Sequence, residues 1–595
     1  MSSSLLHRRL CHYHSALLFL LVRISILALL GWANALNVIN NVVPIVYSIA
    51  GSDSGGGAGI QADLHAIHSF GCHGCTAITC VTAQNSMGVS GVYEIPSEFL
   101  RKQLDSLSED LPPASVKIGM IYSADNAREI EMFLSKAKRP PWVVCDPVMI
   151  STSGHALISE ETKAAMVQYI FPYTDVLTPN KFEAEALLGR KLTSFEDIEQ
   201  GARDILNTMG VGAVLIKGGH TIDADDEIIS SSFSQDYFLS RKRSDASDSS
   251  TKSLAQRRLC DGEYGVWLRS PRIHSDNTHG TGCTLSSSIA SALALGRPKG
   301  DSSSVGSSSA IDDILDACCL AKAYVTAGIE RGVQLGKGPG PVAHTNFPSS
   351  YRDYPSVAFN PKDNFQGAFR PMATSSPISA VNILATSPIT LGKIIPIVDS
   401  AGWVKTLSST PGITDIQLRL KGQREEDIAS IIEEAQGYVS GSSRDVRLWI
   451  NDYWREAILA KCFGVHLGQE DLASCVEQGG LEVLQKCNMA LGISSHTYAE
   501  LSVALSANPT YISLGPVFDT ASKEVRFGPQ GLSTVSKWRS FIAPNIPLVA
   551  IGGIGDAEIA KLVKDAGADC VAVIGAITKA DDIKNTVERL NEAME

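Results

Sequence analysis

The chain has 595 residues, of which 44% are hydrophobic and 19% charged, and its formal net charge is −12. This length exceeds what one hydrophobic core organises and predicts about two to four domains. The composition is that of an ordinary globular protein, which excludes a disordered or collagen-like chain. An acidic balance without a local basic stripe argues against nucleic-acid binding. The 13 cysteines are scattered, which favours reduced thiols, and the CxxC pair Cys72 and Cys75 is interpreted as structural.

The first residues differ from the rest, because no acidic residue occurs before Asp53. Basic residues precede two apolar runs, 16–22 and 26–33, and small residues follow them. This pattern predicts a removable targeting leader over residues 1–40. A transmembrane anchor is the alternative, but Arg23 interrupts the apolar span. No stable membrane association of the mature chain is therefore expected.

Residues 43–345 alternate between short β-rich runs and helical stretches, the clearest of which are 127–137 and 160–169. This alternation predicts an α/β domain in which helices cover a mostly parallel sheet. Ser-rich insertions near 239–261 and 301–309 interrupt the pattern and are predicted surface loops. The β-rich runs are 43–49, 114–118, 142–145, 176–178 and 213–217.

A change in the spacing of the apolar runs marks a second domain. Residues 346–388 lack periodicity and are the predicted interdomain linker. Short apolar runs then alternate with helices over residues 390–595. Eight βα units in about 200 residues predict a (β/α)8 TIM barrel, with its chemistry after each strand on the C-terminal face. The runs are 394–398, 413–418, 446–450, 464–467, 490–493, 511–514, 548–551 and 570–574.

Glycine-rich segments carry the chemistry of the first domain. The strongest is 277–284 (NTHGTGCT), which leads into an apolar helix. A Gly-Thr-Gly turn entering a helix presents free N–H groups, which suits a transferred phosphoryl group, although a structural helix cap is the alternative. No GxxxxGK[ST] loop occurs, so any use of ATP is not of the P-loop kind. The loose GxGxxG match at 57–62 lacks the acid that a dinucleotide site needs.

Further motifs follow strand ends of the same domain, where open α/β sheets bind ligands. The motifs are 84–85 (QN), 117–120 (KIGM), 146–149 (DPVM), 178–180 (TPN) with Glu183, and 217–220 (KGGH). With these motifs in order, residues 43–345 resemble the hydroxymethylpyrimidine (phosphomethylpyrimidine) kinases of the ribokinase superfamily. The resemblance implies a ribokinase-like three-layer sandwich and ATP as co-substrate.

This resemblance also implies individual roles. Cys283 would be the base for the substrate hydroxyl, inside an anion hole formed by Gly280 and Gly282. Its place at a helix N-terminus predicts a lowered thiol pKa. Asp63 and Gln84 would contact the aminopyrimidine. The residues expected near Mg-ATP and its phosphates are Asn180, Glu183 and Lys217. A solvated surface ion pair is the alternative for the last two.

Polar residues also follow the strands of the predicted barrel. Arginine and lysine on neighbouring strand ends suit a polyphosphate, and paired aspartates suit Mg²⁺. Glycines after the last two strands suit a single phosphate. These features suggest that two phosphorylated substrates are joined with loss of pyrophosphate. Residues 390–590 resemble thiamine phosphate synthase, on the runs 417–419 (QLR), 450–452 (IND), 465–471 (VHLGQED) and 515–518 (GPVF).

The second resemblance implies a ligand set, in which Asp452 and Asp471 bind Mg²⁺. The residues expected around the diphosphate and pyrimidine are Gln417, Arg419, Lys421, Asn451, His466, Ser494 and Lys523. Those expected around the thiazole phosphate are Thr520, Ser522, Gly552, Gly553 and Gly575. Three positions depart from the family pattern. Asp519 replaces a proline and adds negative charge near the diphosphate unless it points away. Ser522 replaces a threonine but keeps the hydroxyl, and Gly575 stands where the family often has serine.

Together the resemblances imply a bifunctional enzyme of thiamine biosynthesis, because the product of the kinase is a substrate of the synthase. Its partners would be small molecules: hydroxymethylpyrimidine, ATP and hydroxyethylthiazole phosphate. A homo-oligomer is also expected. Similar fusions are typical of plants and algae, so the leader predicts a plastid location, with the cytoplasm or another organelle as the alternative. A vitamin-B6-type kinase with a degenerate barrel and a non-catalytic sensor of thiamine intermediates are the alternative functions.

Overall fold

A computed structural model describes most of the chain beyond the predicted leader. The leader and the insertion at 301–309 lie outside the described residues, as do most of 239–261 and most of 346–388. Residues 45–595 form one compact unit. The described residues are 43–136, 141–149, 158–218, 232–241, 263–296, 314–358, 372–373, 389–520 and 528–595.

A ten-stranded sheet organises the first domain. Its strands are β1 (Ile45–Asp53), β2 (His73–Asn85), β3 (Gly88–Glu94), β4 (Ser115–Ile118), β5 (Trp142–Cys145), β6 (Val176–Leu177), β7 (Ala213–Ile216), β8 (Phe233–Arg241), β9 (Glu263–Pro271) and β10 (Ser356–Ala358). Their order across the sheet is β10-β9-β8-β7-β6-β5-β4-β1-β2-β3. Pairing is parallel from β7 to β2 and antiparallel at both edges. The predicted mostly parallel sheet is confirmed.

Helices connect these strands and cover the sheet. They are α1 (Gly59–Ser69), α2 (Ser97–Asp110), α3 (Ala124–Lys136), α4 (Glu160–Ala165), α5 (Lys181–Leu188), α6 (Phe195–Thr208), α7 (Thr281–Leu295) and α8 (Ile314–Glu330). The helices α7 and α8 are buried along most of their length, as expected of helices that are apolar on all sides. Cys72 and Cys75 are buried free thiols, in agreement with their predicted structural role.

Eight parallel strands close into a barrel in the second domain, which confirms the predicted fold. After the short pair β11 (Met372–Ala373) and β12 (Ile389–Thr390), the barrel strands are β13 (Ile394–Val398), β14 (Asp415–Leu418), β15 (Arg447–Asn451), β16 (Gly464–Leu467), β17 (Ala490–Ser495), β18 (Tyr511–Leu514), β19 (Leu548–Ile551) and β20 (Cys570–Val573). Apolar side chains such as Ile395, Trp449 and Tyr511 fill the interior.

The barrel helices are α9 (Ala401–Ser408), α10 (Glu425–Ser440), α11 (Trp454–Leu459), α12 (Gln469–Glu477), α13 (Gly480–Lys486), α14 (Tyr498–Ser506), α15 (Gly531–Phe541), α16 (Ala557–Asp565), α17 (Gly575–Thr578) and α18 (Ile583–Ala593). Strand β10 lies inside the predicted linker and pairs with β9, so part of that segment belongs to the sheet of the first domain. No helix in the described ranges has the length and apolar character needed to cross a membrane.

Candidate active sites

The Gly-Thr-Gly turn lies where several strand ends of the first domain meet. Gly280 caps α7 with φ +80°, and a Cβ there would overlap the carbonyl oxygen of Gly57. Only glycine tolerates both the conformation and this close approach. At Gly282, a Cβ would lie 3.2 Å from Asp146 Oδ2 and 3.3 Å from Lys217 Nζ. The turn therefore faces the loop after β1 on one side and a charged pair on the other.

That charged pair belongs to a buried cluster after β5, β6 and β7. Lys217 Nζ lies 2.6 Å from Asp146 Oδ1 and 3.8 Å from Glu183 Oε2. Burial alone would lower the pKa of Lys217, but Asp146 and Glu183 outweigh it and raise this pKa. Burial raises the pKa of Glu183 to about 7, although Lys217 opposes the shift. Because Glu183 is only 3% exposed, a solvated surface pair is excluded.

A capping box fixes the position of Glu183. Asn180 Oδ1 accepts from the Glu183 N–H at 2.9 Å, and Glu183 Oε2 accepts from the Asn180 N–H at 2.7 Å. This reciprocal bonding starts α5 and directs the carboxylate toward Lys217. The structure thus brings the three predicted nucleotide residues together. Asp146 joins them; its motif was visible after a predicted strand, but no role followed from the sequence.

Asp63 lies in a second buried network, beneath the first. Its carboxylate accepts from Lys117 Nζ at 2.8 and 2.9 Å, from Ser48 Oγ at 2.5 Å and from Ser287 Oγ at 2.6 Å. Both Asp63 and Lys117 are 0% exposed. This placement departs from the predicted contact of Asp63 with the pyrimidine, because neither carboxylate oxygen reaches the surface of the cleft. Asp63 instead anchors α1 to β4 and to α7, the helix that carries Cys283.

We expect Lys117→Met to lower the free energy of unfolding by about 3–5 kcal/mol, because it leaves the Asp63 charge buried without its partner. Chemical denaturation followed by tryptophan fluorescence measures the change. The control is Lys191→Met, since Lys191 is paired with Glu185 but is 77% exposed in its side chain. We expect its cost to stay below about 1 kcal/mol. Equal costs for the two variants would contradict the proposed importance of the buried pair.

Cys283 is the third residue of α7 and is partly exposed in the cleft. The predicted lowering of its pKa is wrong, because the pKa is raised to about 11. Burial is the main cause; Asp63 and Asp146 add to it, while Lys117 opposes it. The helix N-terminus favours the thiolate, but it does not outweigh these groups. Cys283 is therefore protonated at neutral pH before substrates bind.

Two further residues, missed as candidates, line the same cleft. His279 Nε2 lies 3.4 Å from Asp53 Oδ2 and 3.4 Å from Gln84 Nε2. Asp53 accepts from the N–H groups of Gly55, Gly57 and Ala58. Burial alone would raise the pKa of Asp53, but the hydrogen bonds to His279 and to the N–H groups of Gly55 and Ala58 lower it. His279 stands within the 277–284 motif, so its position in that motif was the available signal.

In the barrel, the predicted polar residues lie side by side at the C-terminal ends of the strands. Gln417 Nε2 donates to Asn451 Oδ1 at 2.8 Å. His466 lies between Tyr511 and Ser494, with Nδ1 2.8 Å from the Tyr511 hydroxyl and Nε2 2.8 Å from Ser494 Oγ. These strands thus carry two hydrogen-bonded groups of side chains: Gln417 with Asn451, and His466 with Ser494 and Tyr511.

Two carboxylates, those of Asp452 and Asp471, meet next to Asn451. Asp452 follows β15 with a positive φ of 70°, a conformation that is uncommon for residues other than glycine and clusters at functional sites. Burial and the neighbouring Asp471 raise the pKa of Asp452 to about 7, while Lys421 and Arg419 oppose the shift. Burial also lowers the pKa of Arg419, and Asp452 opposes this. Two adjacent acids flanked by two cations suit a metal ion and a polyanion.

The predicted thiazole-phosphate residues are partly described. Gly552 and Gly553 have φ values of 98° and 70°, and a Cβ on either would approach residues 516–519 within 2.7 Å. Gly575 begins α17, and the nearest atom to a Cβ there would be Lys579 Cδ at 3.9 Å, an ordinary contact distance. Thr520 is partly buried and Asp519 is exposed. Ser522 and Lys523 lie outside the described residues.

The described residues contain no cluster of three or more potential metal-ligating side chains. A Mg²⁺ site at Asp452 and Asp471 would therefore take further oxygen ligands from water or substrate phosphates, which is the usual coordination of this ion. The like-charged pair and its raised pKa fit such a cation, because a cation relieves the repulsion that now raises the pKa. The cluster of Asp146 and Glu183 beside the Gly-Thr-Gly turn fits Mg²⁺ with nucleotide phosphates.

Comparison with known proteins agrees with this division into two sites. The family Phosphomethylpyrimidine kinase matches residues 53–343, and the family Thiamine monophosphate synthase matches residues 396–577. The chain is 31% identical over 567 residues to "Thiamine biosynthetic bifunctional enzyme TH1, chloroplastic" of Arabidopsis thaliana, covering 93% of each protein. It is 32% identical over 534 residues to "Probable thiamine biosynthetic bifunctional enzyme, chloroplastic" of Oryza sativa subsp. japonica, covering 88% of this chain and 83% of that one.

The first domain alone also has relatives. It is 34% identical over 300 residues to "Hydroxymethylpyrimidine/phosphomethylpyrimidine kinase" of Staphylococcus aureus (strain MRSA252), covering 50% of this chain and 93% of that one. The similarity to the two plant proteins spans both domains and both sites. The chain belongs to the family of bifunctional thiamine biosynthetic enzymes, with a phosphomethylpyrimidine kinase domain followed by a thiamine monophosphate synthase domain.

Proposed function

We propose that the first domain phosphorylates hydroxymethylpyrimidine and then its monophosphate with ATP. The barrel then couples the resulting diphosphate to hydroxyethylthiazole phosphate, which yields thiamine phosphate and pyrophosphate. The observation that carries the proposal is that one chain contains both assembled sites. One is the buried cluster of Asp146, Glu183 and Lys217 against the Gly-Thr-Gly turn. The other is the acid pair Asp452 and Asp471 at the barrel mouth.

In the kinase reaction, the hydroxymethyl oxygen attacks the γ-phosphorus of ATP and ADP leaves. The thiolate form of Cys283, whose fraction grows with pH, accepts the proton that this oxygen loses. The N–H groups at the start of α7 stabilise the negative charge on the transferred phosphoryl group, and the nearby Lys217 adds a positive charge. Gln84 offers polar atoms to the aminopyrimidine, while Asp63 fixes α7 by accepting a hydrogen bond from Ser287 Oγ. Mg²⁺, when bound near Asp146 and Glu183, would neutralise phosphate charge.

In the synthase reaction, the bond between the pyrimidine methylene carbon and the diphosphate oxygen breaks, and the thiazole nitrogen bonds to that carbon. Arg419 and Lys421 attract the departing diphosphate, and Gln417 and Asn451 orient it. Mg²⁺ at Asp452 and Asp471 would stabilise charge on this leaving group. Because the carbon is attacked after the diphosphate departs, no general base is required.

Incubation of the purified chain with ATP, Mg²⁺, hydroxymethylpyrimidine and hydroxyethylthiazole phosphate tests the proposal. We expect thiamine phosphate and pyrophosphate, detected by chromatography. Supplying the pyrimidine diphosphate directly tests the barrel alone, and omitting the thiazole tests the kinase alone. Pyridoxal in place of hydroxymethylpyrimidine is the control for a vitamin-B6-type kinase. Absence of thiamine phosphate in the complete mixture would contradict the bifunctional assignment.

His279→Ala is expected to raise the KM for hydroxymethylpyrimidine about tenfold, with a smaller effect on kcat, because it removes a side chain that orients Gln84 and Asp53. Steady-state kinetics of ADP release measure both constants. The control is His68→Ala, since His68 is exposed in the last turn of α1. An unchanged KM in the His279 variant would remove this residue from the pyrimidine site.

We further propose that residues 1–40 direct the chain to the plastid, since both plant relatives are named chloroplastic. A fluorescent reporter carrying residues 1–52 tests this directly. Accumulation in plastids is the expected result, and a diffuse cytoplasmic signal would contradict it. The homo-oligomer stays a prediction, which sedimentation of the purified chain would test.

A further inference from the structure

The kinase domain and the barrel contact each other directly. On the kinase side the contact consists of α8 and residues 346–358, which we call the strap. On the barrel side it consists of α14 and α15. The strap includes β10, which pairs with β9 in the register Ser356 to Arg269, so it is fixed to the kinase sheet. The two domains therefore share a packed boundary and are not merely joined by a chain segment.

Asp316, in the first turn of α8, reaches from the kinase domain to the start of α14. Its Oδ1 accepts from the backbone N–H of Ala499 at 2.6 Å, and the residue is 1% exposed. Within the barrel, Thr497 caps the same helix by accepting from the Glu500 N–H. The first N–H groups of a helix have no partner inside the helix and favour a negative charge. The kinase domain thus supplies part of the cap of a barrel helix.

Tyr354, in the strap, makes the second contact. Its hydroxyl donates to the carbonyl oxygen of Tyr498 at 2.8 Å, and its ring centroid lies 4.4 Å from that of Phe541. The Tyr498 ring in turn packs on Trp538 at 4.9 Å. Tyr354 is only 5% exposed, so this aromatic cluster is closed to solvent from the kinase side.

The same elements support a strand end of the synthase site. Trp538 Nε1 donates to Ser495 Oγ at 2.9 Å, and Ser495 Oγ donates to the Ser513 carbonyl at 3.1 Å. Ser494, the preceding residue, is the one that contacts His466. Helix α14 begins three residues after Ser495, at Tyr498. The position of Ser494 therefore depends on a strand end and a helix start that pack against the kinase domain.

We propose that Asp316 and Tyr354 are positioning residues of the synthase reaction: the kinase domain fixes the β17–α14 unit of the barrel and thereby Ser494. The proposal rests on the synthase function proposed above. It implies that the barrel reaches its full synthase rate only while the kinase domain of the same chain is packed against it. It also implies that the boundary acts on the synthase and leaves the phosphoryl-transfer chemistry unaffected.

The test supplies pyrimidine diphosphate and thiazole phosphate directly to the full chain, so that no kinase turnover is needed. We expect Asp316→Ala to lower synthase kcat/KM about tenfold, because it removes one helix cap. Asp316→Asn keeps an acceptor oxygen and should stay within about twofold of the parent chain. Tyr354→Phe should lower synthase kcat/KM about threefold, since it removes a single neutral hydrogen bond. Kinase kcat/KM, measured as ADP release, should stay within about twofold in all three variants.

The matched control is Tyr47→Phe. Tyr47 is also a buried tyrosine whose hydroxyl donates to a backbone carbonyl, that of Leu111, but both residues lie in the kinase domain. We expect this variant to leave synthase kcat/KM unchanged. Normal synthase activity in both Asp316→Ala and Tyr354→Phe would overturn the proposal, and so would equal losses in both reactions.

Hydrogen–deuterium exchange gives a readout that does not depend on activity. Amides of residues 493–506 should exchange faster in Asp316→Ala and Tyr354→Phe, and not in Tyr47→Phe. If the parent chain has no synthase activity, the proposed function fails, and this exchange pattern still decides the inference. If Asp316→Ala does not fold, Tyr354→Phe decides it. Unchanged exchange over residues 493–506 in a folded variant would overturn the positioning role.

Discussion

Replacing Cys283 by alanine is expected to slow the phosphorylation of hydroxymethylpyrimidine at least about a hundredfold, the usual contribution of a positioned base. The thiol lies at the start of α7, where the turn between Gly280 and Gly282 approaches Asp146 and Lys217. Among residues 281–284, the first turn of α7, no other side chain is as readily deprotonated. Pyrimidine binding should persist, because the polar side chain proposed for the ring is Gln84. Steady-state ADP release and calorimetric titration of the pyrimidine measure the two effects separately.

The pH dependence of this reaction should be steep. Because the pKa of Cys283 is raised to about 11, the thiol loses its proton only at high pH. The thiolate fraction therefore grows about tenfold for each pH unit between about pH 7 and about pH 9, and kinase kcat/KM should rise with it. Cys283→Asp replaces the thiol by a carboxylate, whose ordinary pKa is about 4, so its profile should level off at a lower pH than that of the parent chain. Near-normal turnover in Cys283→Ala, or a flat profile in the parent chain, would contradict the base assignment.

The sequence predicted best those elements that a local pattern of apolar and polar residues marks. Barrel strands such as Gly464–Leu467 and Tyr511–Leu514 were predicted with the observed bounds, because each is a short apolar run between polar turns. The hairpin of β2 and β3 was missed, since β2 mixes Thr, Cys and Ala without regular alternation. Strand β10 has only three residues and exists through its pairing with β9 and its packing against α14. No local signal encodes such pairing.

The candidate sites show the same limit. Motifs placed Glu183 and Lys217 near each other, because both follow strand ends of one sheet. The motifs could not show that Lys117 donates to the Asp63 carboxylate, since that pair joins a helix to a strand distant in sequence. The pKa of Cys283 was predicted from its helix alone. Burial raises this pKa, and so do Asp63 and Asp146, which are remote in sequence. The direction of a pKa shift could therefore be known only from the fold, whereas most of the candidate site residues could be named from the sequence.

Replacing Asp452 by asparagine is expected to lower synthase kcat/KM by about 10²–10³-fold, because it removes a charge that binds the cation stabilising the leaving diphosphate. The double variant with Asp471→Asn should lose little more, since both residues would serve one cation. Asp427→Asn is the control: Asp427 is a partly exposed aspartate in the first turn of α10 that accepts a hydrogen bond from Arg424. Synthase activity is measured as pyrophosphate release from supplied pyrimidine diphosphate. Retained activity in Asp452→Asn would contradict the metal assignment.

The same variant should be more stable than the parent chain when Mg²⁺ is absent. Burial and Asp471 raise the pKa of Asp452 to about 7, so the folded chain keeps a proton that the unfolded chain has already released. Stability therefore falls as pH rises from about 4 through about 7, and asparagine removes this loss. At about pH 8 the unfolding temperature of Asp452→Asn should exceed that of the parent, and at about pH 4 the difference should vanish. Added Mg²⁺ should raise the unfolding temperature of the parent more than that of the variant, because only the parent presents both charges. If Asp452→Asn instead lowers stability at about pH 8 without Mg²⁺, the carboxylate pair is a structural element of the barrel and not a site that awaits a cation.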